Sequence, residues 1–293
     1  MSVSCPFPRL IGAVLSLAAA VSWSQPVLAY EPEFFDVPFA DGQWNIGRRL
    51  DESKLRYCVD PRDPGWEVAA EIADAIAGAL LLEPERYVVQ SEIISEDITK
   101  VYELLLKHCD MHMGFKLIPD GYATWSFLTR PYFETDYAFV TTGPALEKLG
   151  DLEPGGKIGA TLGTSAHLRL VSYLTAMPAA DRWSAFPMGT NTQALDSLVD
   201  GTLVDGTLVD GTVDVALVWA PTLWAMQRND PTDASLHVIS PAPLPPTTLG
   251  VGALMLSNQT FLRTAVDEAI AALSADGTLA GILESYGFPA VVP

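Results

Sequence analysis

Few residue groups in this sequence have the types and spacing that covalent chemistry needs. Gly163-Thr164-Ser165-Ala166-His167 begins like a nucleophile elbow but lacks the second glycine and the strand–turn setting of a hydrolase serine. There is no phosphate-binding glycine loop, no His-Glu-x-x-His and no dinucleotide glycine fingerprint. The cluster His108-Cys109-Asp110-Met111-His112-Met113 has soft and imidazole ligands that would suit copper. On a strand, however, Asp110 and His112 face away from Met111 and Met113, and core packing is the favoured reading over a metal. Carboxylates are plentiful, but sequence alone positions no pair of them. Binding chemistry is better represented. Asp60, Arg62, Trp66, Phe115 and Lys116 are one group, and Thr161, Thr164, Ser165 and Trp219 are a second, with Trp224 nearby. These are aromatic faces for stacking, a few cations, and free amides where a helix starts at Thr164-Ser165.

Those residues matter only if the elements before them bring them together. Residues 54–60 read as a strand ending at a Pro/Gly-rich turn, Pro61 to Gly65. From Trp66 the pattern becomes helical, with Val68, Ile72, Ile76 and Leu80 recurring every four residues beside Ala69, Ala73 and Ala77. A strand is expected over Arg86–Gln90. A helix capped by Ser95, with Ile98, Val101 and Leu105 as its apolar stripe, follows. Asp110–Phe115 and Asp136–Thr142 are the next strands. This alternation means parallel strand–helix–strand units. After Gly143 the pattern restarts: Lys157–Thr161 a strand, Ser165–Ala176 a helix, Val213–Trp219 and Leu236–Ile239 strands. A proline-rich run, Pro241 to Pro246, precedes a strand at Leu249–Leu256 and helices over Gln259–Ser274 and Thr278–Tyr286. In open α/β sheets a ligand lies at the carboxyl ends of the strands, which is where the nine residues singled out above fall.

Residues 198–212 read Leu-Val-Asp-Gly-Thr three times without a break. The five-residue period does not match a calcium-binding nonapeptide, so slippage duplication in the gene explains it better. Removing two copies leaves an ordinary helix, glycine stop and strand, so the extra residues are expected to enlarge a surface loop.

The N-terminus carries Arg9, a short apolar run from Leu10 to Val21, and Val27-Leu28-Ala29, a leader expected to be cleaved before Tyr30. The run is shorter than the roughly 20 residues of a membrane span, and Cys5 lies too early for lipid attachment. The expected location is therefore the periplasm, without membrane embedding. Net charge is −19, and near −20 once a leader whose sole charge is Arg9 is removed, which disfavours nucleic acid and anionic membrane. Beyond the leader only Cys58 and Cys109 remain, which composition allows to be either a disulfide or two buried thiols.

The order of these elements resembles the family 3 extracellular solute-binding proteins of ABC-type uptake systems, over essentially all of residues 54–288. Arg130-Pro131-Tyr132-Phe133 followed by Tyr137-Ala138-Phe139-Val140 is similar to that family's Ser-x-Pro-Tyr turn and hinge strand. Gly150-Asp151-Leu152, Lys157-Ile158-Gly159 and Leu162-Gly163-Thr164-Ser165 look like its start of the second lobe. Ala275-Asp276-Gly277-Thr278, Ile282 and Tyr286-Gly287 look like its C-terminal ending. A narrower resemblance is to binding-protein-like components associated with quinoprotein methanol and alcohol dehydrogenases. It is carried by Leu55-Arg56-Tyr57-Cys58-Val59-Asp60-Pro61, Cys109-Asp110, Thr129 to Tyr132 and Asp214 to Pro221. The sequence departs from that subgroup after Pro61, where Arg62-Asp63-Pro64-Gly65-Trp66 replaces an Asn-Leu-Pro-Phe stretch.

The resemblance implies an α/β, two-lobed periplasmic-binding-protein-like fold of type II. Each lobe would be a mainly parallel sheet flanked by helices, with two hinge crossings near 141–145 and 241–247. Residues 1–29 would be the signal peptide and 30–49 an N-terminal extension. Lobe one would combine 50–142 with 246–293, and lobe two would span 143–245. In this fold Cys58 and Cys109 are expected side by side, as a disulfide. Amino-acid-binding relatives carry an arginine shortly after the third strand. Between Phe115 and Leu128 this chain offers only Lys116, which argues against an amino acid unless Arg62 or Lys116 takes over the clamp. The expected function is capture of a small ligand in the interlobe cleft for an ABC permease, by a monomer without cofactor, metal or catalysis. Partnership with a quinoprotein alcohol dehydrogenase is the alternative. A dehydratase-like enzyme on the same fold is the third option, requiring paired acid–base groups that the sequence does not identify.

Overall fold

The computed structural model describes residues 53–90, 98–119, 121–143, 145–198, 202–204, 207–209, 213–229 and 236–293. The expected leader, the N-terminal extension and the Ser95 cap lie outside the described residues. In the first half of the chain the elements are β1 (Lys54–Val59), α1 (Trp66–Ala79), β2 (Glu83–Val88), α2 (Ile98–Lys107), β3 (Met111–Lys116), β4 (Ser126–Leu128) and β5 (Phe133–Thr141). After a single 3-10 turn come β6 (Lys157–Thr161), α3 (Ser165–Ala176), β7 (Ser184–Met188), α4 (Asn191–Asp196), β8 (Thr202–Val204) and β9 (Thr207–Val209). Then follow β10 (Val215–Trp219), α5 (Ala220–Asn229), β11 (His237–Ile239), β12 (Thr247–Leu256), α6 (Thr260–Ala275) and α7 (Thr278–Tyr286).

α1 forms as its period requires: Val68, Ile72 and Ile76 are buried with Ala69, Ala73 and Ala77. Each large apolar side chain so buried contributes on the order of 2 kcal/mol. The alanines keep the helix surface low, and α1 packs on β1, β3, α6 and α7. α2 buries Val101, Tyr102, Leu104 and Leu105, whereas Ile98, expected in its stripe, is 37% exposed at the helix start.

The main sheet runs β2-β1-β3-β12-β5-β10-β6-β7, with β4 on β12 and β11 on β5. β1 pairs parallel with β2 and β3, and β6 pairs parallel with β7 and β10. Between these parallel groups lie two long strands, β5 and β12, antiparallel to their neighbours. β12 meets β5 with its first half and β3 and β4 with its second. β5 in turn leaves β12 at Tyr137, which is opposite both Thr247 and Trp219, and continues along β10 and β11. Thus one continuous sheet has two halves joined by two strands, and the residues at that joint come from both.

β2 begins three residues earlier than the sequence suggested. Pro84 has no backbone N–H to give, which an edge strand tolerates, and Glu83, Glu85 and Arg86 point to solvent. β4, β7 and α5 were not anticipated, whereas α4 is the helix expected ahead of the repeat. Pro187 sits in β7, again an edge strand, paired only with β6 among the described residues.

Cys58 and Cys109 form a disulfide, Cα–Cα 5.6 Å, buried in a core cluster with Val101, Leu105, Trp125 and Leu254. Met111 and Met113 pack in the largest core cluster. His112 is buried with its ring edge-on to Phe115, and His108 stacks on Tyr87. Among the described residues no group of three His, Cys, Asp or Glu side chains could hold a metal ion, and no helix is long and apolar enough to cross a membrane. Within the repeat, β8 and β9 pair antiparallel with each other, Leu203 opposite Leu208, leaving Asp205-Gly206 between them.

Candidate functional site

Four strand ends meet at the joint of the sheet. The loop after β1 delivers Asp63, β3 ends on Gly114 and Lys116, the start of α4 just after β7 delivers Asn191, and β10 ends on Trp219. These residues, with Phe133, Val251, Thr222 and Phe288, line a cavity of about 170 Å³. A wider groove of about 880 Å³ shares Asp63, Pro64, Asn191 and Thr222 with it and is bounded by Arg62, Trp66, Glu67, Trp224 and Arg228.

Lys116 is the centre of the cavity. Its Nζ donates to the Tyr137 hydroxyl at 3.0 Å and lies 4.1 Å from the Trp219 ring centre and 5.0 Å from that of Tyr137. Burial holds the ammonium down to about 8 against the pull of Asp63. Asp63 is the complementary group. Its Oδ1 accepts the Gly65 amide at 2.9 Å, and its Oδ2 lies over Gly114. Burial pushes this carboxyl up to about 6. The Gly65 amide and Lys116 oppose that rise, and Asp60 adds to it. Gly114 is required here on two counts. Its φ is +89°, and a Cβ would meet Asp63 Oδ2 at 2.3 Å. The Gly114 amide donates to the Tyr132 hydroxyl at 2.9 Å, which fixes the backbone beneath the carboxylate.

Asn191 supplies a third polar contact. Its Oδ1 accepts from Thr161 Oγ1 at 2.9 Å and from the Trp219 amide at 3.3 Å. With the oxygen so occupied, the Nδ2 donor is the part left to face the cavity it lines.

The residues expected from the sequence fall into three sets. Lys116 and Trp219 line the cavity, and Arg62 and Trp66 line the wider groove. Thr161 acts one step back, through Asn191. Thr164 caps α3 by accepting the His167 amide at 3.1 Å, and its hydroxyl donates to the Thr161 carbonyl at 2.8 Å. Neither these two threonines nor Ser165, whose hydroxyl oxygen is buried, lines either space. Asp60 and Phe115 are elsewhere too. Asp60 takes Arg62 Nε at 2.8 Å and the Arg62 amide at 2.9 Å. Burial raises its carboxyl, but these bonds outweigh that and hold it below the ordinary value. Phe115 turns to the opposite face of β3, against His112 and Tyr122. Several lining residues were not singled out from sequence, and Asp63 and Asn191 are the polar ones with defined partners. Each sits among turn or capping residues, Pro61-Arg62-Asp63-Pro64-Gly65 and Gly189-Thr190-Asn191-Thr192, which a local reading assigns to chain reversal.

The groove is bridged by direct contacts. Arg228 of α5 pairs with Glu67 of α1 at 2.8 Å, and its guanidinium lies over the rings of Trp224 and Tyr286 at 5.2 and 5.7 Å. Trp224 packs edge-on to Phe288 at 5.0 Å and donates Nε1 to the Tyr286 carbonyl at 3.3 Å. α5 is thereby tied to α1 and to the end of α7.

Neither a family model nor a curated protein matches the chain. Solved structures do. One is an amino acid ABC transporter substrate-binding protein, AbpA, from Streptococcus pneumoniae, bound to L-arginine: 17% identity over 80% of this chain and 94% of that one, TM-score 0.53. The fold is that of the two-lobed periplasmic binding proteins. A second similar structure is the arginine-, lysine-, histidine-binding protein ArtJ from Geobacillus stearothermophilus, at 19% identity over 80% and 95% of the two chains, TM-score 0.52. A third is an ancestral amino acid-binding protein, a precursor of cyclohexadienyl dehydratase, at 16% identity over 80% and 96%, TM-score 0.53. At these identities the likeness is one of fold.

Proposed function

We propose that the chain is the solute-binding component of an ABC-type uptake system, holding a small ligand between two lobes. Lobe one would comprise residues 50–142 and 246–293, lobe two residues 143–245, with β5 and β12 as the connecting strands. Export to the periplasm, with cleavage of residues 1–29, belongs to the same reading. The observation that carries it is the meeting of Lys116, from β3, with Trp219, from β10, on one cavity that also holds Asp63 and Asn191. Strand ends from both halves of the sheet thus converge on a polar-and-aromatic space of ligand size. Closure around a ligand follows from its greater affinity for the closed form.

Native mass spectrometry of protein taken from its own periplasm tests the reading. A small molecule released on denaturation, and lost in a folded Lys116→Ala/Trp219→Ala variant, is the expected result. A partner role toward a quinoprotein alcohol dehydrogenase would use the outside of the lobes instead. It predicts an empty cavity, and a variant that keeps its physiological activity with the cavity dismantled.

One observation supports an enzymatic second reading. Asp63 and Lys116 are an acid and a base lining the same cavity, with opposite perturbations toward neutrality, as acid–base pairs in active sites have. Loss of water from small hydroxy acids incubated with the protein, abolished by Lys116→Met, would establish it. An unaltered substrate after prolonged incubation rejects it.

A further inference from the structure

Among the described residues the cavity has one cation, one carboxylate, the Asn191 amide, the Thr222 hydroxyl and a largely apolar remainder. Lys116 is the only cationic side chain lining it among the described residues. Asn191 lines the same space, and with its oxygen held by Thr161 and Trp219 its Nδ2 is the remaining side-chain donor. Phe133, Val251, Trp219 and Phe288 provide the walls. We propose that this site takes a small monocarboxylate with an apolar body, seated on Lys116 Nζ and Asn191 Nδ2, and that it enters together with a proton for Asp63. This rests on the reading of the cleft as a solute site.

Size sets the first limit. The cavity of about 170 Å³ is close to the roughly 150 Å³ that accommodates a benzene, so the ligand has on the order of six to ten heavy atoms. Charge sets the second. A dianion such as phosphate would meet one ammonium and the Asp63 carboxylate. An organic cation would find the Trp219 and Tyr137 faces already covered by Lys116. A single carboxylate with a hydrocarbon body satisfies Lys116 and Asn191 and leaves the Phe133, Val251 and Phe288 walls to the body.

The proton follows from Asp63. The groups around it are Lys116 on β3, Asp60 on its own loop, and the Tyr132 hydroxyl, held by the Gly114 amide. Arg62 is engaged by Asp60. Among the described residues Lys116 is the positive charge that opposes the rise of Asp63. A ligand carboxylate brought against Lys116 adds a second negative charge beside Asp63, which then binds a proton more tightly. Above the Asp63 pKa of about 6, carboxylate binding therefore takes up as much as one proton, and affinity falls up to roughly tenfold per pH unit as pH rises.

Isothermal titration of the full chain with isovalerate and benzoate, their amides and leucine is the test. It is run at about pH 5.5 and about pH 7, below the Lys116 value of about 8, in two buffers of different ionisation enthalpy. The carboxylates are expected to bind, their amides at least roughly tenfold more weakly, with affinity lower at the higher pH and proton uptake visible in the buffer comparison. Over this range Asp63→Asn should abolish the pH effect and bind at the higher pH as the parent does at the lower one, whereas the titration of Lys116 weakens binding only at more alkaline pH. That gain would not come from a merely structural role. Lys116→Met should lose binding while melting cooperatively. Amides binding as well as acids, leucine binding more tightly than isovalerate, or affinity independent of pH would each overturn the proposal. If no probe binds but the protein from the periplasm holds another small molecule, this inference fails and the solute-site reading stands. If the cavity is empty there as well, both fail.

Discussion

The Lys116 ammonium lies 4.1 Å from the centre of the Trp219 ring, so the end of β3 touches the end of β10 across the joint of the sheet. A buried cation over an indole face is worth about 0.5–2 kcal/mol. Trp219→Leu and Lys116→Met should therefore be non-additive in urea unfolding, with a coupling of about 1 kcal/mol. Additive effects would mean the two residues share a space without interacting.

Asp63 makes stability pH-dependent with a definite sign. Its folded-state pKa, pushed up to about 6, lies above the unfolded value of about 3.9. The raised group contributes stability that is fully present below the unfolded value and is lost as pH rises through about 6. The loss is on the order of 3 kcal/mol. Asp63→Asn keeps the acceptor for the Gly65 amide and removes the titration. Thermal melts from about pH 4 to 8 should show the variant gaining on the parent as pH rises. Parallel curves would exclude a raised Asp63.

Gly114 tests whether the carboxylate is seated where it is drawn. Gly114→Ala places a methyl at φ +89° against Asp63 Oδ2. The strain and displaced carboxylate should cost about 1–3 kcal/mol and weaken ligand binding together. A neutral substitution would imply that Asp63 turns away from β3.

These groups differ in how far sequence alone reveals them. α1, α3 and α7 follow from side-chain period because each buries one face on a shared core, and β1, β6 and β12 follow from short apolar runs buried on both faces. Lys116 and Trp219 were legible because they end strands whose hydrophobic patterns are strong. Asp63 and Asn191 were not, because their role depends on which strand ends lie beside them in the sheet, and Asp-Pro-Gly and Thr-Asn-Thr also make ordinary turns. Phe115 failed in a simple way. It neighbours Lys116 in β3, and neighbours on a strand face opposite sides, so only one of them can face the cavity. The edge strands β2 and β7 were shifted or missed because proline is tolerated exactly where pairing is one-sided, at Pro84 and Pro187.

The Cys58–Cys109 bridge closes a loop of 51 residues between β1 and the entry to β3. Such a loop contributes on the order of 4 kcal/mol, mainly by restricting the unfolded chain. Reduction, or a Cys58→Ala/Cys109→Ala variant, should lower the melting temperature by roughly 5 to 15 °C without altering the native circular dichroism. An unchanged melting temperature would show that the unfolded chain gains nothing from losing the link.

The repeat offers a sharper test of what is scaffold. β8 and β9 pair only with each other among the described residues, as a two-stranded sheet apart from the main one. Each strand is the same Thr-Leu-Val unit, and the Asp-Gly pair between them is the composition that two-residue hairpin connections favour. An isolated two-stranded hairpin contributes little stability by itself. Its removal shortens the path from α4 to β10, and closure entropy changes slowly with loop length. Deleting residues 203–212 leaves one Leu-Val-Asp-Gly-Thr unit before Val213 and should move the melting temperature by no more than a few degrees. Ligand binding should be unaffected, since the residues that line the cavity and the groove among the described residues lie outside the repeat. Differential scanning calorimetry of the deletion variant, with and without ligand, decides the matter: a large drop in melting temperature would mean that the hairpin packs on the lobe and belongs to its core.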